Sequence, residues 1–282
     1  MATSIKRYWH QLTTKEFSRL DAENCVAILP VGAIEQHGPH LPVWSDTRIG
    51  QGIIDAMVGQ APDSLPFLIL PTIAVGRSEE HNTFPGTLSL RADTLRAVCV
   101  DLLESVRRAG IRKVVIFNSH GGNPSIIDVA GLEMRRKHQM LIASTIWYQF
   151  GLPSEGLFSD YETSYGTHAG EIETSMMLHL APELVDDAER AVFSNRASAM
   201  SKDYEVLDPQ GAAPFSWIAA DLTDSGAWGD ALAADPERGK ILIDFYGSKL
   251  LALVRDMHRF PLDALAPSDC AADPSSLSPR KS

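Results

Sequence analysis

Between residues 28 and 48 the chain places four side chains capable of metal chemistry, Glu35, His37, His40 and Asp46, among Gly38, Pro39 and Pro42. The stretch starts as an apolar run, Cys25 to Ile34, of the length and β-branched content of a buried strand. Glu35 and His37 lie two apart, so in extended backbone their side chains leave the same side of the chain. Asp46 follows at a distance that lets a loop bring a second carboxylate back to them. One imidazole and two carboxylates converging at a strand end suit Zn, Mn or Fe. A lone Glu-x-His after a strand is equally what a solvated loop looks like, so the assignment depends on what else the chain supplies.

Three further stretches supply it. Asn118-Ser-His-Gly-Gly-Asn123 follows an apolar strand core, and Gly121 and Gly122 permit close backbone approach beside the free N–H groups of a following helix. His120 can ligate a metal there while the glycines and Asn123 admit a substrate oxygen; the competing reading is a plain polar turn. The loop Gly76 to Thr87 offers Ser78, Glu80 and His81 as substrate contacts. Thr167 to Leu180 reads as a helix from about His168, halted by Pro182. On a 100° wheel Glu173 falls with Met176, Met177 and Leu180, the face that packs inward. An unpaired carboxylate there is expensive and needs a metal, an Arg or a donor cluster. His168, Glu171 and Ser175 share the neighbouring polar face. Glu173 is therefore the metal-ligand candidate and His168 the candidate for proton transfer or oxyanion stabilisation. Glu171 is counted with His168 as a catalytic candidate, through contact with substrate or His168, the alternative being a solvated charge at the helix N-terminus.

The elements that must position these groups alternate strand and helix. Strands are expected at 25–34, 67–75, 113–117 and 141–147, and helices at 46–60, 92–109 (stopped by Gly110), 124–138, 168–180 and from Pro236 onward. The strands are apolar throughout, which indicates a mostly parallel sheet covered by helices on both faces, an α/β class. Ligands of such sheets bind beyond the carboxyl ends of the strands. Glu35, His37, His81 and His120 all follow predicted strands, so the fold gathers them at one rim. Residues 148–167 are expected to form a loop over the site, and 190–234 to be irregular. One domain is expected over 1–263, with a flexible Pro- and Ser-rich tail over 264–282.

Composition narrows the classes. A hydrophobic fraction of 44% and a charged fraction of 22% are those of an ordinary globular protein. The net charge of −11 argues against a nucleic-acid or anionic-membrane surface, which needs basic patches. Cys25, Cys99 and Cys270 are scattered and odd in number, and the first two sit in apolar segments as small core residues. No apolar leader and no run of eighteen apolar residues is seen, so a cytoplasmic protein with no membrane span is expected.

With these pieces placed, the chain resembles the creatininase (creatinine amidohydrolase) family. The resemblance rests on Val31-Gly-Ala-Ile-Glu-Gln-His-Gly-Pro-His-Leu-Pro42 with Asp46, and on Ser78-Glu-Glu-His81 through Phe84-Pro-Gly-Thr87. It extends over Asn118 to Asn123, His168-Ala-Gly-Glu-Ile-Glu-Thr-Ser175 and Gly226-Ala-Trp-Gly-Asp230. It implies a single α/β domain, a two-metal hydrolytic site and a homohexamer acting on a small molecule. Carried over by residue, Glu35 and His120 hold one metal, His37 the other, and Asp46 bridges. Creatinine-cleaving members complete the ligand set of the second metal with a Glu where this chain has Gly122, so Glu173 is assigned to that task. They also carry a substrate-clamping tryptophan four residues before the position of His168, where this chain has Ser164; Trp147 lies nearby in sequence. The Gly-Gly form is similar to relatives with other substrates, including formamidopyrimidine deformylases and the peptidase of mycofactocin maturation.

The expected activity is hydrolysis of a C–N bond in a small cyclic amide or formamide, with two divalent ions (Zn, Mn or Fe) and His168 supplying a proton to the leaving nitrogen. The alternatives are a short-peptide hydrolase using the same centre, a hydrolase of a cyclic ketone, and a non-catalytic metal-stabilised assembly protein. Against the last, a purely structural metal is more often enclosed by Cys and His.

Overall fold

The protein is described by a computed structural model over residues 5–267. Cys270 and most of the Pro- and Ser-rich tail fall outside this range. After a short capped turn, α1 (Thr14–Phe17), the chain enters β1 (Val26–Val31), α2 (Ser45–Gln60), β2 (Phe67–Ile69), α3 (Ala92–Arg108), β3 (Lys113–Asn118), α4 (Pro124–His138) and β4 (Leu141–Ile146). The second half adds α5 (Asp160–Tyr165), α6 (Glu171–Leu180), β5 (Val192–Phe193), α7 (Ala197–Asp203), α8 (Ala219–Leu222), β6 (Gly229–Asp230) and the long α9 (Pro236–Arg259). The strand and helix spacing read from the sequence holds for β1, β3 and β4 and for α2, α3, α4 and α9, with ends shifted by a few residues, whereas the strand expected over 67–75 is confined to Phe67–Ile69, short of Pro71.

Strands β1 to β4 form one parallel sheet in the order β2-β1-β3-β4, and β5 and β6 pair antiparallel in a separate ribbon. Alternation along the strands splits the core in two. Val26, Ile28, Val115 and Phe117 face a layer with Ile49, Ile53 and Met57 of α2, Met176 and Met177 of α6, and Leu242, Tyr246 and Leu250 of α9. Ala27, Leu29, Val114 and Ile116 face Leu95, Cys99 and Leu103 of α3 and Ile127 and Met134 of α4. A sheet buried on both faces explains why its strands read as unbroken apolar runs. Gly247 lets α9 press against the backbone at Met57, where a Cβ would find no room.

The chain runs from β1 to β2 on one side and then crosses to β3 on the other. The loops after β1 and β3 therefore diverge at the carboxyl edge and open a crevice there. Glu35 and His37 leave β1 at this point, and His120 leaves β3.

Two expectations need correction. The helix carrying Glu173 starts at Glu171, not at His168. Ala169 just before it has φ +54°, a left-handed conformation that breaks helical continuity, and His168 instead bridges to Trp228 beside β6. Residues 148–167 are not all loop: Ser159 caps α5 by accepting from the Glu162 N–H.

Candidate metal centre and cleft

Six side chains from five segments meet at the crevice: Glu35 and His37 after β1, Asp46 in the first turn of α2, His120 after β3, His168, and Glu173 in the first turn of α6. All are buried, with exposures between 0% and 7%. Their local geometry is set by hydrogen bonds made away from the centre. His37 Nδ1 donates to the Glu35 carbonyl at 3.0 Å, which leaves Nε2 facing Asp46 Oδ1 at 3.5 Å and Glu173 Oε2 at 3.7 Å. His120 Nε2 donates to the Arg77 carbonyl at 2.8 Å, so Nδ1 faces Asp46 Oδ2 at 3.1 Å and Glu35 Oε2 at 3.2 Å. Asp46 thus stands between the two imidazoles with one oxygen toward each. Glu173 is steadied by the Ala169 N–H, which donates to Oε2 at 2.7 Å.

These approaches are close but misaligned. Glu35 Oε2, Asp46 Oδ2 and His37 Nε2 are fully buried and have no hydrogen-bond partner among the described residues. Buried polar atoms left this way are costly unless something else satisfies them. Glu35 with His37 and His168, Glu35 with Glu80 and His120, and His37 with Asp46 and Glu173 each form a trio spaced to hold a metal ion. Converging orphaned oxygens and imidazole nitrogens are the donor set of Zn, Mn or Fe, and the residues fit such ions.

The charge balance points the same way. Burial opposes a charge on His37, yet Asp46, Glu173 and Glu35 push its pKa up to about 10. Burial likewise disfavours the Asp46 anion, but His37 and His120 hold it well below the usual carboxylate range. Glu173 is pushed upward, first by burial and then by Asp46, against the pull of His37. A cluster that draws protons onto its imidazoles is one that attracts a cation.

His168 differs from the other two imidazoles. Its Nε2 donates to the Gln36 carbonyl at 2.8 Å, and its Nδ1 lies 3.7 Å from Glu35 Oε1. Burial first, then the neighbouring His37 and His81, hold its pKa well below 6.5. It is therefore neutral, with its Nδ1 lone pair toward the cluster. Its ring packs on His81 at 4.5 Å and on Trp228 at 4.9 Å between centroids. The Gln36 amide ties this group together, donating to His81 Nδ1 at 2.6 Å and to the Gly226 carbonyl at 2.9 Å.

Above the centre lies a cleft of about 1330 Å³. Glu80, His81, Gly121 and Gly122 line it, with Tyr148, Tyr165, Trp217 and Trp228 forming aromatic walls. The structure does not bring every expected residue here. Glu171 points away from the cluster: it is buried, not solvated, and ion-paired with Arg238 of α9. The expectation that it contacts substrate or His168 is corrected accordingly. Ser78 and Asn123 are fully buried and do not line the cleft. Ser78 Oγ approaches His120 Nε2 at 3.2 Å. The Asn123 amide donates to the Gly32 carbonyl and to Asn118 Oδ1, both at 3.0 Å, and accepts from the Arg77 N–H. Both side chains brace the loops instead of facing a ligand.

Sequence reasoning passed over Gln36, Tyr148 and Glu162. Gln36 was signalled by the alternation that exposes Glu35 and His37 on one side, since the residue between them must face the other. Tyr148 directly follows Trp147, which packs on Tyr246 at 5.2 Å while Tyr148 turns to the cleft. Glu162 gave no local signal; its carboxylate is held by backbone N–H groups of Glu171 and Asp230.

Parallel sheet, crevice and donor cluster together define an α/β scaffold with a candidate metal site at its switch point. The family model for creatinine amidohydrolase matches residues 10–254, and the chain belongs to the creatininase family. The mycofactocin precursor peptide peptidase of Mycobacterium ulcerans is 35% identical over 182 residues, 62% of this chain and 66% of that protein. The match therefore spans slightly under two thirds of that relative. The creatinine amidohydrolase of Pseudomonas putida is 29% identical over 255 residues, 83% of this chain and 90% of that protein. Among solved structures, a point-mutant creatininase superposes with a TM-score of 0.73 over 91% of this chain and all of the other, at 24% identity, a likeness of fold.

Proposed function

We propose that this creatininase-family hydrolase is a metal-dependent amidohydrolase that cleaves a C–N bond in a small cyclic amide or formamide. The observation that carries the reading is the buried cluster whose Glu35 Oε2, His37 Nε2 and Asp46 Oδ2 atoms have no hydrogen-bond partner among the described residues. In this reading Glu35 and His120 would hold one divalent ion and His37 and Glu173 a second, with Asp46 available to both. Ions held there supply Lewis-acid polarisation of a carbonyl and lower the pKa of a water to near neutrality.

The chain's own groups do the rest. At Gly121 a side chain would meet nothing nearer than Tyr148 OH at 3.9 Å, and its absence lets a substrate carbonyl approach the cluster over the cleft floor. His168, neutral and fixed by the Gln36 carbonyl, accepts at Nδ1 the proton released by the attacking water and passes it to the departing nitrogen. Trp228 and His81 hold the His168 ring in place.

A second reading is a short-peptide hydrolase. The cleft volume of about 1330 Å³ favours it, because pockets for small ligands are roughly 300–1000 Å³. Similarity to mycofactocin precursor peptide peptidases also supports it. On family grounds we further propose a cytoplasmic homohexamer. The test is a panel of creatinine, a formamidopyrimidine and short peptides, assayed with metal-replete protein alongside elemental analysis. Turnover of the formamide or cyclic amides is expected, with creatinine opened poorly given Gly122 and Ser164. Rapid creatinine opening, near the enzyme median of about 10 per second, would show both departures to be unimportant. Cleavage of peptides alone would select the second reading.

A further inference from the structure

Glu80, on the short turn Glu79–His81 that follows β2, reaches the donor cluster from the Nε2 side of His120 and is close enough to share an ion with Glu35 and His120. Its Oε1 lies 3.5 Å from His120 Nε2, while the opposite ring atom, Nδ1, faces Glu35 and Asp46. The other carboxylate oxygen, Oε2, is buried without a hydrogen-bond partner among the described residues. Arg77 Nη1 is 3.7 Å from it, and the Arg77 Nε donates instead to Glu79 at 3.0 Å. A Cβ placed on Gly122 would collide with Glu80 Oε1, with His120 Nε2 and with the Arg77 carbonyl. Glu80 thus occupies the space that any side chain at position 122 would claim.

We propose that Glu80 is a positioning residue for His120, and that Gly122 is glycine because this carboxylate fills its place. The inference rests on the two-metal reading above. A ligating imidazole that gives its second N–H to an acceptor keeps its ring orientation and tautomer, and a carboxylate beside that N–H strengthens the ligating nitrogen. Here the Arg77 carbonyl takes the hydrogen bond, Ser78 Oγ sits 3.2 Å away, and Glu80 supplies the negative charge. Only the ion on the Glu35–His120 side is addressed; His37 and Glu173, which hold the other, do not touch Glu80.

The test compares wild type, Glu80→Gln and Glu80→Asp, each stripped and titrated with Zn²⁺ or Co²⁺ in competition with a chromophoric chelator. Glu80→Gln keeps size and exposure at the cleft edge and removes only the charge. The expected result is two ions per chain in wild type and a loss of about 10- to 100-fold in affinity for one of them in Glu80→Gln. The second affinity stays unchanged, the Co²⁺ visible spectrum of one site shifts, and Glu80→Asp recovers part of the loss. The inference is overturned if both affinities are retained and only KM rises, which would make Glu80 a substrate contact. Equal weakening of both sites, the signature of a general structural defect, also overturns it. A wild type that binds no metal refutes the two-metal reading itself, and the stoichiometry measured first separates that failure from the others.

Discussion

Glu162 is 1% exposed, yet among the described residues it touches neither the metal cluster nor a cation. Its two oxygens accept the backbone N–H groups of Glu171, the first residue of α6, and of Asp230 in β6, the latter at 3.0 Å. Gly166, Gly170 and Gly229 surround the carboxylate, and a Cβ on any of them would strike it or the adjoining backbone. Glu162→Ala leaves two donors unsatisfied at about 1–3 kcal/mol each, so a loss of about 2–6 kcal/mol is expected. At roughly 2 °C per kcal/mol for a chain of this size, the melting temperature falls by about 4–12 °C. Glu162→Gln retains one acceptor but turns an NH₂ toward the other N–H, so its loss is smaller, about 1–3 kcal/mol. Burial raises the Glu162 pKa against the pull of its N–H donors. With the folded pKa above the unfolded one, this group's contribution is fully present at acid pH. It declines as pH rises from the unfolded value of 4.5 through the folded one, so the gap between wild type and Gln narrows upward across that window. Because α6 carries Glu173, the Ala variant also weakens metal binding. Thermal melts of the metal-free and metal-replete proteins measure both effects. A Glu162→Ala variant that melts within about 1 °C of wild type refutes the assignment, since no orphaned N–H pair could cost so little.

Asp46→Ala removes the oxygens that face both His37 and His120, so bound metal should drop from about two per chain to well below one by elemental analysis; full occupancy would rule out the bridging role. Glu173→Gln should weaken metal binding, a neutral amide being a poorer ligand than a carboxylate. Glu171→Gln, which breaks only the pair with Arg238, should leave metal content intact and cost stability of about 1–2 kcal/mol, discounted for the partial exposure of that arginine; loss of metal in Glu171→Gln alone would reverse these roles. His168→Ala should keep both ions yet lose roughly 10²–10⁴-fold in turnover, and a rate within about twofold of wild type would remove it from proton transfer.

Much of the scaffold was legible because its signals are local. Apolar runs marked the four parallel strands, and a helical stripe placed Glu173 inward with Met176 and Met177. Glu35, His37, Asp46 and His120 were recognisable from their positions after strands or in a first helical turn. What failed to show depends on partners distant in the chain. The start of α6 is set by the Glu162 carboxylate and by the left-handed Ala169, neither of which has a periodic signature. Glu171 looked solvent-facing because its counter-charge, Arg238, comes from the last helix. Ser78 and Asn123 have the polar character of ligand contacts, but their groups are used by His120, Gly32 and Asn118.

The donors and the cleft walls come from different parts of the architecture. Glu35, His37, Asp46, His120 and Glu173 stand at the ends of β1 and β3 and in the first turns of α2 and α6, all pinned by the buried layers. Tyr148, Tyr165 and Trp217 come from segments between the main helices that contribute nothing to the four-stranded sheet. Exchanging side chains of those outer segments, with Glu162 of α5 retained, would reshape what enters the cleft while leaving the ion-holding frame and its stability largely untouched. The scaffold thereby separates the residues that converge on the donor cluster from those that shape the cleft above it.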